Sequence, residues 1–352
     1  MNSPIISIVI ATYNSSRTLE SVLKSVKNQS FDQKKIEILA VDGGSSDKTI
    51  QIAKKYRCRV IPNPKVEPVN ARLIGIKQAK GKYIVFIDAD EVMANSDSLK
   101  IKVSMFSQKN VRAVIGTGYQ NPPNSPIIRK YINEFGDPFS YFVYRLSKNH
   151  EFFIQEMKKK YFVLKEDGNS IEFDFSQTTQ FPIIELGAAN SMVDLRYLKK
   201  EFPNFNSEVF AHMFYLFNKK SQKILITKRD PVVHFSSDTL KGYFKKIQWR
   251  TKNNIFHIKS MGISGYSGRE KYHGSKNTFK KYLFIPYAFS FLFPIWDALA
   301  LSISRNDIRF FIHVFLCFYT AILICINYIK KIIGFNPQLK NYDESKVVVK
   351  GN

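Results

Sequence analysis

Residues 83–91 read YIVFIDADE, an apolar run that ends in a cluster of three acids. The apolar part is rich in residues that favour β-strands, and its length is typical of a buried strand. Asp88 and Asp90 lie where this strand would end. Two carboxylates at such a position predict either a metal site or a strand end that is simply solvated.

Three further strand-like runs precede this stretch, ISIVIAT at 6–12, IEILAVD at 36–42 and CRVIP at 58–62. Helical patterns separate them, at 18–29, 47–56 and 69–80. Apolar strands that alternate with amphipathic helices predict an α/β fold whose parallel sheet is covered on both faces. Ligands of such sheets bind beyond the carboxyl ends of the strands, so we expect Asp42 and Asp88 at one shared edge.

The alternation of strands and helices stops near Gly118, and the turn-rich stretch NPPNSP follows at 121–126. Residues 131–146 and 152–164 then mix aromatic and basic side chains. This composition is typical of amphipathic helices that rest on lipid headgroups, and it is equally compatible with ordinary helix–sheet packing.

Two apolar segments, at 282–303 and 310–329, are each about as long as a helix that crosses a hydrocarbon core of roughly 30 Å. The first is interrupted by two prolines and Asp297, and only six residues, 304–309, connect it to the second. Lysines flank both outer ends, which predicts a transmembrane hairpin with both ends in the cytoplasm. Two buried core helices, or an interfacial helix for the first segment, are the alternatives.

The charge of the chain is strongly positive, with 53 Lys and Arg against 29 Asp and Glu and a net charge of +24. Such an excess suits phosphorylated substrates, a membrane surface or nucleic acid. The basic residues are spread along the chain without a recognition motif, so we expect no nucleic-acid partner. The three cysteines have no metal-binding spacing, and a reducing compartment is expected.

Four pieces of the chain together resemble the family 2 glycosyltransferases of the GT-A fold. They are SIVIATYNSS at 7–16, LAVDGGSSDKT at 39–49, NARLIGIKQAKGKYIVFIDADE at 70–91 and ELGAANSMVDLR at 185–196. The resemblance implies a mostly parallel central sheet with flanking helices, a nucleotide-sugar donor and transfer with inversion at the sugar.

The resemblance also assigns roles to the acids of the opening stretch. In the family an Asp-x-Asp pair contacts the metal and the nucleotide sugar, which implies both roles for Asp88 and Asp90. We therefore expect Mg²⁺ or Mn²⁺ as cofactor, because both ions take carboxylate oxygens and leave positions for substrate phosphates. Asp90 is also predicted to act in catalysis, and His234 is a third candidate near the metal or the diphosphate.

Other positions that match the family are expected to contact the nucleotide sugar. Asp42 corresponds to the residue that reads the nucleobase, although the family often has two consecutive acids where this chain has Asp42 and Gly43. Thr12 and Tyr13 occupy the matching nucleotide-side positions. Arg72 lies in the Ala-Arg-x-x-Gly piece, where a guanidinium can pair with donor phosphate.

The catalytic base is the least well marked residue. Inverting members of the family usually carry a Glu-Asp pair in the acceptor half, and the corresponding stretch FPNFNSEVFAHMFYLF at 202–217 has none. Glu208 is the nearest acid there, and Asp194 is a more distant candidate. A polyprenyl phosphate acceptor would already be anionic and would need no strong base.

Four regions follow from this interpretation: a nucleotide-sugar-binding half at 1–118, an acceptor-binding half at 119–275, the membrane hairpin at 276–332 and a basic cytoplasmic tail at 333–352. The predicted function is transfer of a sugar to a lipid-linked glycan or polyprenyl phosphate at the cytoplasmic face of the cell membrane. The alternatives are a subunit of a processive polysaccharide synthase and a non-catalytic nucleotide-sugar-binding protein. The order Gln-Trp-Arg at 248–250, in place of the Gln-x-x-Arg-Trp of processive synthases, disfavours the first alternative.

Overall fold

A computed structural model of the chain describes residues 3–176, 190–257 and 279–340. Nine of its strands form one mixed sheet in the order β3-β2-β1-β4-β10-β6-β11-β9-β8. The strands are β1 (Ile6–Thr12), β2 (Ile36–Asp42), β3 (Arg59–Pro62), β4 (Tyr83–Asp88), β5 (Glu91–Met93), β6 (Val111–Ile115), β7 (Tyr119–Gln120), β8 (Val163–Glu166), β9 (Ser170–Phe173), β10 (Ser191–Asp194), β11 (Lys223–Thr227) and β12 (Val232–His234).

The first four strands confirm the predicted parallel sheet. β1 pairs in parallel with β2 on one side and with β4 on the other, and β3 pairs with β2. The apolar side chains of β1, β2 and β4 are largely buried on both faces, which explains why these strands read as nearly continuous hydrophobic runs. Beyond β4 the sheet becomes mixed, because β10 pairs antiparallel with both β4 and β6.

The described ranges contain fourteen α-helices, which lie around the main sheet and beyond it. They are α1 (Leu19–Lys27), α2 (Thr49–Lys55), α3 (Pro68–Gln78), α4 (Ser98–Met105), α5 (Ile127–Phe135), α6 (Pro138–Tyr144), α7 (Phe153–Lys160), α8 (Leu195–Glu201), α9 (Ser207–Ala211), α10 (Met213–Lys219), α11 (Leu240–Phe256), α12 (Phe284–Phe289), α13 (Leu292–Ser304) and α14 (Ile312–Ile332).

A small second sheet brings distant parts of the chain together beside β4. Its order is β5-β12-β7, with β12 antiparallel to β5 and parallel to β7. In this register His234 pairs with Glu91, immediately after Asp90. The second sheet therefore carries a histidine from late in the chain to the acidic end of β4.

The aromatic and basic stretch at 131–146 begins within helix α5, and that helix is packed inside the protein. Ile128, Tyr131, Ile132 and Phe135 of α5 are buried in one apolar cluster with residues of α11 and α14. Ordinary packing thus accounts for α5, in agreement with one of the two interpretations of this stretch.

The apolar segments near the end of the chain differ in continuity. Residues 308–332 form one helix that is long and apolar enough to cross a membrane. Helical residues 281–289 and 292–304 are instead bent by 92° at a short break, where Phe291 adopts a positive φ of 55°. The predicted hairpin is not confirmed, since the first segment is no straight span.

Three sequence features fall on residues outside the described ranges. They are the first five residues of the ELGAANSMVDLR piece, the approach to the first apolar segment at 276–278 and the tail at 341–352. The division into four regions stays a prediction.

Candidate functional site

Three parallel strands end at one edge of the main sheet and bring their terminal side chains together. Thr12 pairs with Asp42, and Ala11 pairs with Asp88, at the carboxyl ends of β1, β2 and β4. This register confirms the prediction that Asp42 and Asp88 share an edge. The edge is where ligands of parallel sheets bind.

Asp42 organises the turn that follows its own strand. One carboxylate oxygen accepts hydrogen bonds from the Gly44 and Ser45 amides, at 2.9 and 2.8 Å. The other accepts from the hydroxyls of Thr12 and Ser45, at 2.9 and 2.6 Å. Asp42 is only 4% exposed, so its contribution to the site is to fix the loop beside it, and contact with a nucleobase stays a prediction.

Asp88 is held by the arginine that the sequence analysis assigned to donor phosphate. The Arg72 guanidinium donates a hydrogen bond to Asp88 Oδ1 across the edge of the sheet. Helix α3 can present Arg72 there because it packs very close to β1: a Cβ on Gly75 would lie 2.4 Å from Val9 Cγ1. The Asp88 side chain nevertheless stays 42% exposed.

Asp90 is paired with His234, which the second sheet positions. His234 Nε2 lies 3.5 Å from Asp90 Oδ2, and the imidazole stacks on the Tyr119 ring with centroids 4.5 Å apart. Burial works to raise the pKa of Asp90, but the hydrogen bond and charge of His234 and the charge of Lys246 outweigh it and hold that pKa below its usual value. Asp90 is therefore available as a carboxylate.

Glu91, beside this pair, is a buried acid of a different kind. It accepts hydrogen bonds from the Tyr119 hydroxyl at 3.0 Å and from the Asp88 amide at 3.1 Å. Burial, together with the charges of Asp88 and Asp90, raises the pKa of Glu91 to about 7. Two exposed carboxylates and one buried acid thus share the end of β4.

The residues at this edge fit a divalent cation in part. Asp88 and Asp90 offer carboxylate oxygens on side chains that are 42% and 40% exposed. Across the described ranges, no group of three or more His, Cys, Asp or Glu side chains is arranged to hold a metal. Magnesium is commonly held by one or two carboxylates together with substrate phosphates and water, so a pair of aspartates suits it. His234 Nδ1 is buried without a hydrogen-bond partner among described residues, and a role of His234 as ligand stays a prediction.

A cavity of about 860 Å³ opens in front of these acids. This volume is in the range of ligand pockets that hold cofactor-sized molecules. Thr12, Tyr13, Asp88 and Asp90 line it from the sheet edge. Four of the predicted site residues thus meet at one cavity.

Helix α11 adds basic side chains to the lining of the cavity, one of which, Arg250, is paired with Asp137 at 3.3 Å. Lys246, Trp249 and Arg250 line the cavity from this helix, with Lys246 and Arg250 one turn apart. Burial and the charge of Arg250 lower the pKa of Lys246 to about 8, although Asp88 and Asp90 partly oppose that shift. We call Asp88 and Asp90 the acidic wall of the cavity and Lys246 and Arg250 its cationic wall. A diphosphate bound together with a metal ion would match this combination of charges.

Several lining residues were missed by the sequence analysis. Lys246 was not singled out, although it lies one helical turn before Arg250 and beside the Trp249 that was considered. The loop after β3 and the start of α3 supply further lining residues, Asn63, Lys65, Glu67 and Asn70. Asn70 opens the family-like piece at 70–91, whereas no local pattern marks the other three positions, which reach the cavity through the packing of α3 on the sheet.

The two candidate bases lie in very different places. Asp194 pairs with Tyr83 at the opposite end of β4 from Asp88, and it caps α8 by accepting from the Tyr197 amide at 3.0 Å. Asp194 is thus remote from the cavity. Glu208 is the second residue of α9, after Ser207, which lines the cavity. Asn206 caps that helix by accepting from the Glu208 amide at 3.0 Å.

The sequence matches a known enzyme family over its first half. Residues 7–165 match the family model described as Glycosyl transferase family 2. Over these residues the chain is similar to a family 2 glycosyltransferase domain.

Curated relatives extend the match to named enzymes. The poly(ribitol-phosphate) beta-N-acetylglucosaminyltransferase TarS of Staphylococcus aureus is 34% identical over 102 residues, which cover 27% of this chain and 17% of TarS. The UDP-Glc:alpha-D-GlcNAc-diphosphoundecaprenol beta-1,3-glucosyltransferase WfgD of Escherichia coli is 26% identical over 136 residues, 38% of this chain and 52% of WfgD. The chain spans about half the length, or less, of the curated relatives it matches.

A solved structure shares the fold over most of the chain. The mannosyltransferase PcManGT of Pyrobaculum calidifontis, in complex with GDP-Man and Mn²⁺, superposes with a TM-score of 0.50 at 16% identity. The superposition covers 94% of this chain and 88% of PcManGT. The fold is GT-A-like, with a mixed central sheet.

Proposed function

We propose that the protein is a membrane-associated, inverting glycosyltransferase. It moves one sugar from a nucleotide-sugar donor to a lipid-linked glycan or a polyprenyl phosphate at the cytoplasmic face of the membrane. The observation that carries this proposal is the cavity that has Asp88 and Asp90 on one wall and Lys246 and Arg250 on the other.

The acidic wall is proposed to hold the donor through a divalent ion. Asp88 and Asp90 would bind Mg²⁺ or Mn²⁺, and the ion when bound would neutralise charge that develops on the departing diphosphate. The Arg72 guanidinium, paired with Asp88, keeps that carboxylate oriented. His234 does the same for Asp90 from the second sheet.

The cationic wall is proposed to stabilise the diphosphate directly. A diphosphate whose metal ion was held by the two carboxylates would also be attracted by the positive charge of these side chains. Thr12 and Tyr13, at the end of β1, would contact the nucleoside. The name of WfgD includes UDP-Glc, and PcManGT was captured with GDP-Man and Mn²⁺, which supports a nucleotide-sugar donor.

The transfer step itself needs an oxygen nucleophile on the acceptor. The acceptor oxygen attacks the anomeric carbon on the side opposite the diphosphate, and the bond between that carbon and the diphosphate breaks with inversion. Glu208 is proposed to take the proton if the nucleophile is a hydroxyl. A phosphate acceptor is already anionic and would make that proton transfer unnecessary.

The acceptor is proposed to be lipid-linked. WfgD acts, by its name, on a diphosphoundecaprenol-linked sugar, which supports an acceptor held at a membrane. The apolar residues 308–332 and the bent pair at 281–304 offer this chain a means of attachment. Attachment requires only that these segments enter the bilayer, and either a crossing hairpin or a segment resting in one leaflet would satisfy it.

A screen of nucleotide sugars tests the proposal. The purified full-length protein is incubated with each donor, Mn²⁺ or Mg²⁺ and a membrane lipid extract, and release of nucleoside diphosphate is measured. We expect metal-dependent release with at least one donor, increased by the lipid extract. Absence of release with every donor would overturn the enzymatic function.

A further inference from the structure

The connecting turn between the two apolar segments carries information on how the protein meets a membrane. In a hairpin that crosses the bilayer, this turn lies on the far side, roughly 30 Å of hydrocarbon away from the catalytic domain. Charged residues of the turn could not then contact that domain. The contacts of residues 304–309 therefore show whether the turn lies far from the catalytic domain or beside it.

The turn is bound to the catalytic domain by buried ion pairs. Arg305 Nε donates to Glu134 of α5 at 2.8 Å, and the Arg305 guanidinium also donates to Glu156 of α7 at 3.1 Å. Glu134 is 1% exposed, which leaves no room for a lipid layer between the two groups. Lys130, also on α5, donates to Asp307 at 3.1 Å.

Helix α14 runs beside a helix that has to stay out of hydrocarbon. The Tyr319 ring of α14 packs against the Phe244 ring of α11, with centroids 4.4 Å apart. The Tyr319 hydroxyl accepts a hydrogen bond from Gln248 at 2.9 Å. Near the other end of the pair, Lys331 donates to the Ile255 carbonyl at 2.9 Å. The two helices therefore lie side by side along most of α11.

The composition of α11 excludes it from a bilayer interior. Part of the helix lines the cavity, where a polar donor has to bind. The helix carries five basic residues, Lys241, Lys245, Lys246, Arg250 and Lys252. Charged side chains in hydrocarbon are strongly unfavourable. If α14 crossed the membrane in this position, α11 would have to enter with it.

Helix α13 has the form of a helix that lies on a membrane. Its 13 residues span about 20 Å, too short to cross the hydrocarbon core. Leu292, Trp296 and Ile303 lie along one side and are 70%, 70% and 72% exposed. On the opposite side Asp297 is buried and bonded to Arg145 of the catalytic domain at 2.6 Å.

The exposed apolar surface continues past the turn. Ile308 in the turn, Phe311 just after it and Phe315 at the start of α14 are 70%, 37% and 52% exposed. Basic side chains lie close to these apolar residues in the sequence, at Lys281 before α13 and at Arg309 in the turn. A net charge of +24 disfavours pairing with a second copy of the chain and favours an anionic surface.

We propose that residues 281–333 hold the protein in a single leaflet of an anionic bilayer without crossing it. The outward side of α13 and the start of α14 enter the lipid, while α14 remains packed on α11 and the connecting turn on α5. The attachment is thus monotopic. This inference rests on the membrane association in the proposed function and replaces the hairpin that the sequence predicts.

Labelling of the connecting turn from either side of sealed vesicles tests the inference. The starting protein is the full chain with Cys58, Cys317 and Cys325 replaced by Ala. One variant then carries Arg309→Cys in the turn, and another carries Glu151→Cys on the exposed surface of the catalytic domain, away from the cavity. A membrane-impermeant maleimide is added to vesicles of either orientation. We expect both cysteines to label from the same face, whereas labelling from opposite faces would overturn the single-leaflet attachment.

A second measurement does not depend on removal of the native cysteines. The chain has two tryptophans, so Trp249→Phe leaves Trp296 as the sole fluorophore. Phospholipids brominated near the headgroup should quench Trp296 at least as strongly as phospholipids brominated at the chain ends. Strongest quenching by the chain-end bromines would contradict a shallow position.

Failure of the membrane association gives a separate result. If the protein does not float with phosphatidylglycerol vesicles and Trp296 is quenched by neither lipid, the association itself is wrong. A dimer in the absence of lipid, together with an unquenched Trp296, would assign the apolar surface to a second copy and also overturn the inference. Neither result affects release of nucleoside diphosphate in solution, which tests the catalytic part of the proposed function.

Discussion

At the scale of single residues, the site depends on how Asp88 and Asp90 are oriented by the side chains beside them. Each has its own cationic or imidazole partner, Arg72 for Asp88 and His234 for Asp90. Glu91, one residue further on, is buried and has a raised pKa. The same short stretch therefore contains two acids, Asp90 and Glu91, whose pKa values are shifted in opposite directions because their surroundings differ.

The Asp-x-Asp pair could be predicted from the sequence. Of the side chains around it, Arg72 and His234 were predicted as site residues and Lys246 was not. Acids after an apolar strand are a local pattern, and the strand order of a parallel sheet makes their location predictable. Lys246 is more than a hundred residues away along the chain, and only the packing of α11 over the cavity brings it near Asp90. Its position one helical turn before Arg250 of the Gln-Trp-Arg stretch at 248–250 was the signal available for it.

Lys246 should give donor binding a pH dependence. With a pKa of about 8, its positive charge is present at lower pH and is lost as the pH rises through that value. We expect the affinity for UDP or GDP to fall between about pH 7 and about pH 9, measured by titration calorimetry. Lys246→Met should bind weakly throughout this range.

The arginine variant is the matched control for this effect. Lys246→Arg keeps its charge across the same range, because the pKa of an arginine lies above about 12. Its affinity should be nearly independent of pH. If Lys246→Arg lost affinity with pH as the native protein does, the effect would belong to another group.

Glu208→Gln separates the two forms of the transfer step. If Glu208 accepts a hydroxyl proton, the variant should lose on the order of 10²- to 10⁴-fold in turnover while donor affinity stays unchanged. Turnover is measured with the lipid acceptor, and affinity by titration of the nucleotide. Full turnover in the variant would contradict a role as base and favour an acceptor that is already anionic.

At the scale of elements, the first half of the fold follows from local patterns, and the second half does not. The strands β1, β2 and β4 begin and end where the apolar runs do. The antiparallel insertion of β10 beside β4 could not be predicted, because its four residues carry no sign of their partner. The same holds for the second sheet, where β7 has only two residues.

The bend in the first apolar segment shows the limit of hydropathy. Length and composition favoured a spanning helix, but the backbone turns by 92° between α12 and α13. Phe291, at the break, has a positive φ, which helices of L-residues do not continue through. Composition alone carries no record of that angle.

Close packing of α3 on β1 makes Gly75 a sensitive position. A methyl group there would meet Val9 at 2.4 Å, so Gly75→Ala forces the helix or the strand to move. We expect the free energy of unfolding to fall by roughly 1–3 kcal/mol, measured by denaturant titration. Donor affinity should also fall, because α3 carries Arg72.

Gly168→Ala is the matched control for this packing effect. A Cβ at Gly168 would meet nothing within 4 Å. The substitution should leave the free energy of unfolding nearly unchanged. Equal destabilisation by the two alanines would show that the contact between α3 and β1 is not the cause.

At the scale of the whole molecule, the positive charge and the apolar surface act on the same partner. Anionic headgroups attract the excess of 53 basic over 29 acidic residues, and the exposed side of α13 enters the lipid. We expect stronger flotation with phosphatidylglycerol vesicles than with phosphatidylcholine vesicles. Added salt should weaken the binding without abolishing it, because apolar burial is not screened.

The triple variant Leu292→Ser, Trp296→Ser and Ile303→Ser removes three strongly exposed apolar side chains of α13 and keeps the charge. This variant should still bind at low salt but should dissociate at a lower salt concentration than the native protein. Binding that is unaffected by the three substitutions would place the lipid contact elsewhere.

The central claim is that Asp88 and Asp90 form the metal end of a nucleotide-sugar site. The most direct measurement is titration of UDP and GDP into the full-length protein with and without Mn²⁺, for the native chain, for Asp90→Asn and for the exposed-surface control Glu151→Gln. We expect Mn²⁺-dependent binding of at least one nucleotide to the native protein and to the control, and loss of that binding in Asp90→Asn. Equal binding by Asp90→Asn and the native protein in the presence of Mn²⁺ would contradict the central claim.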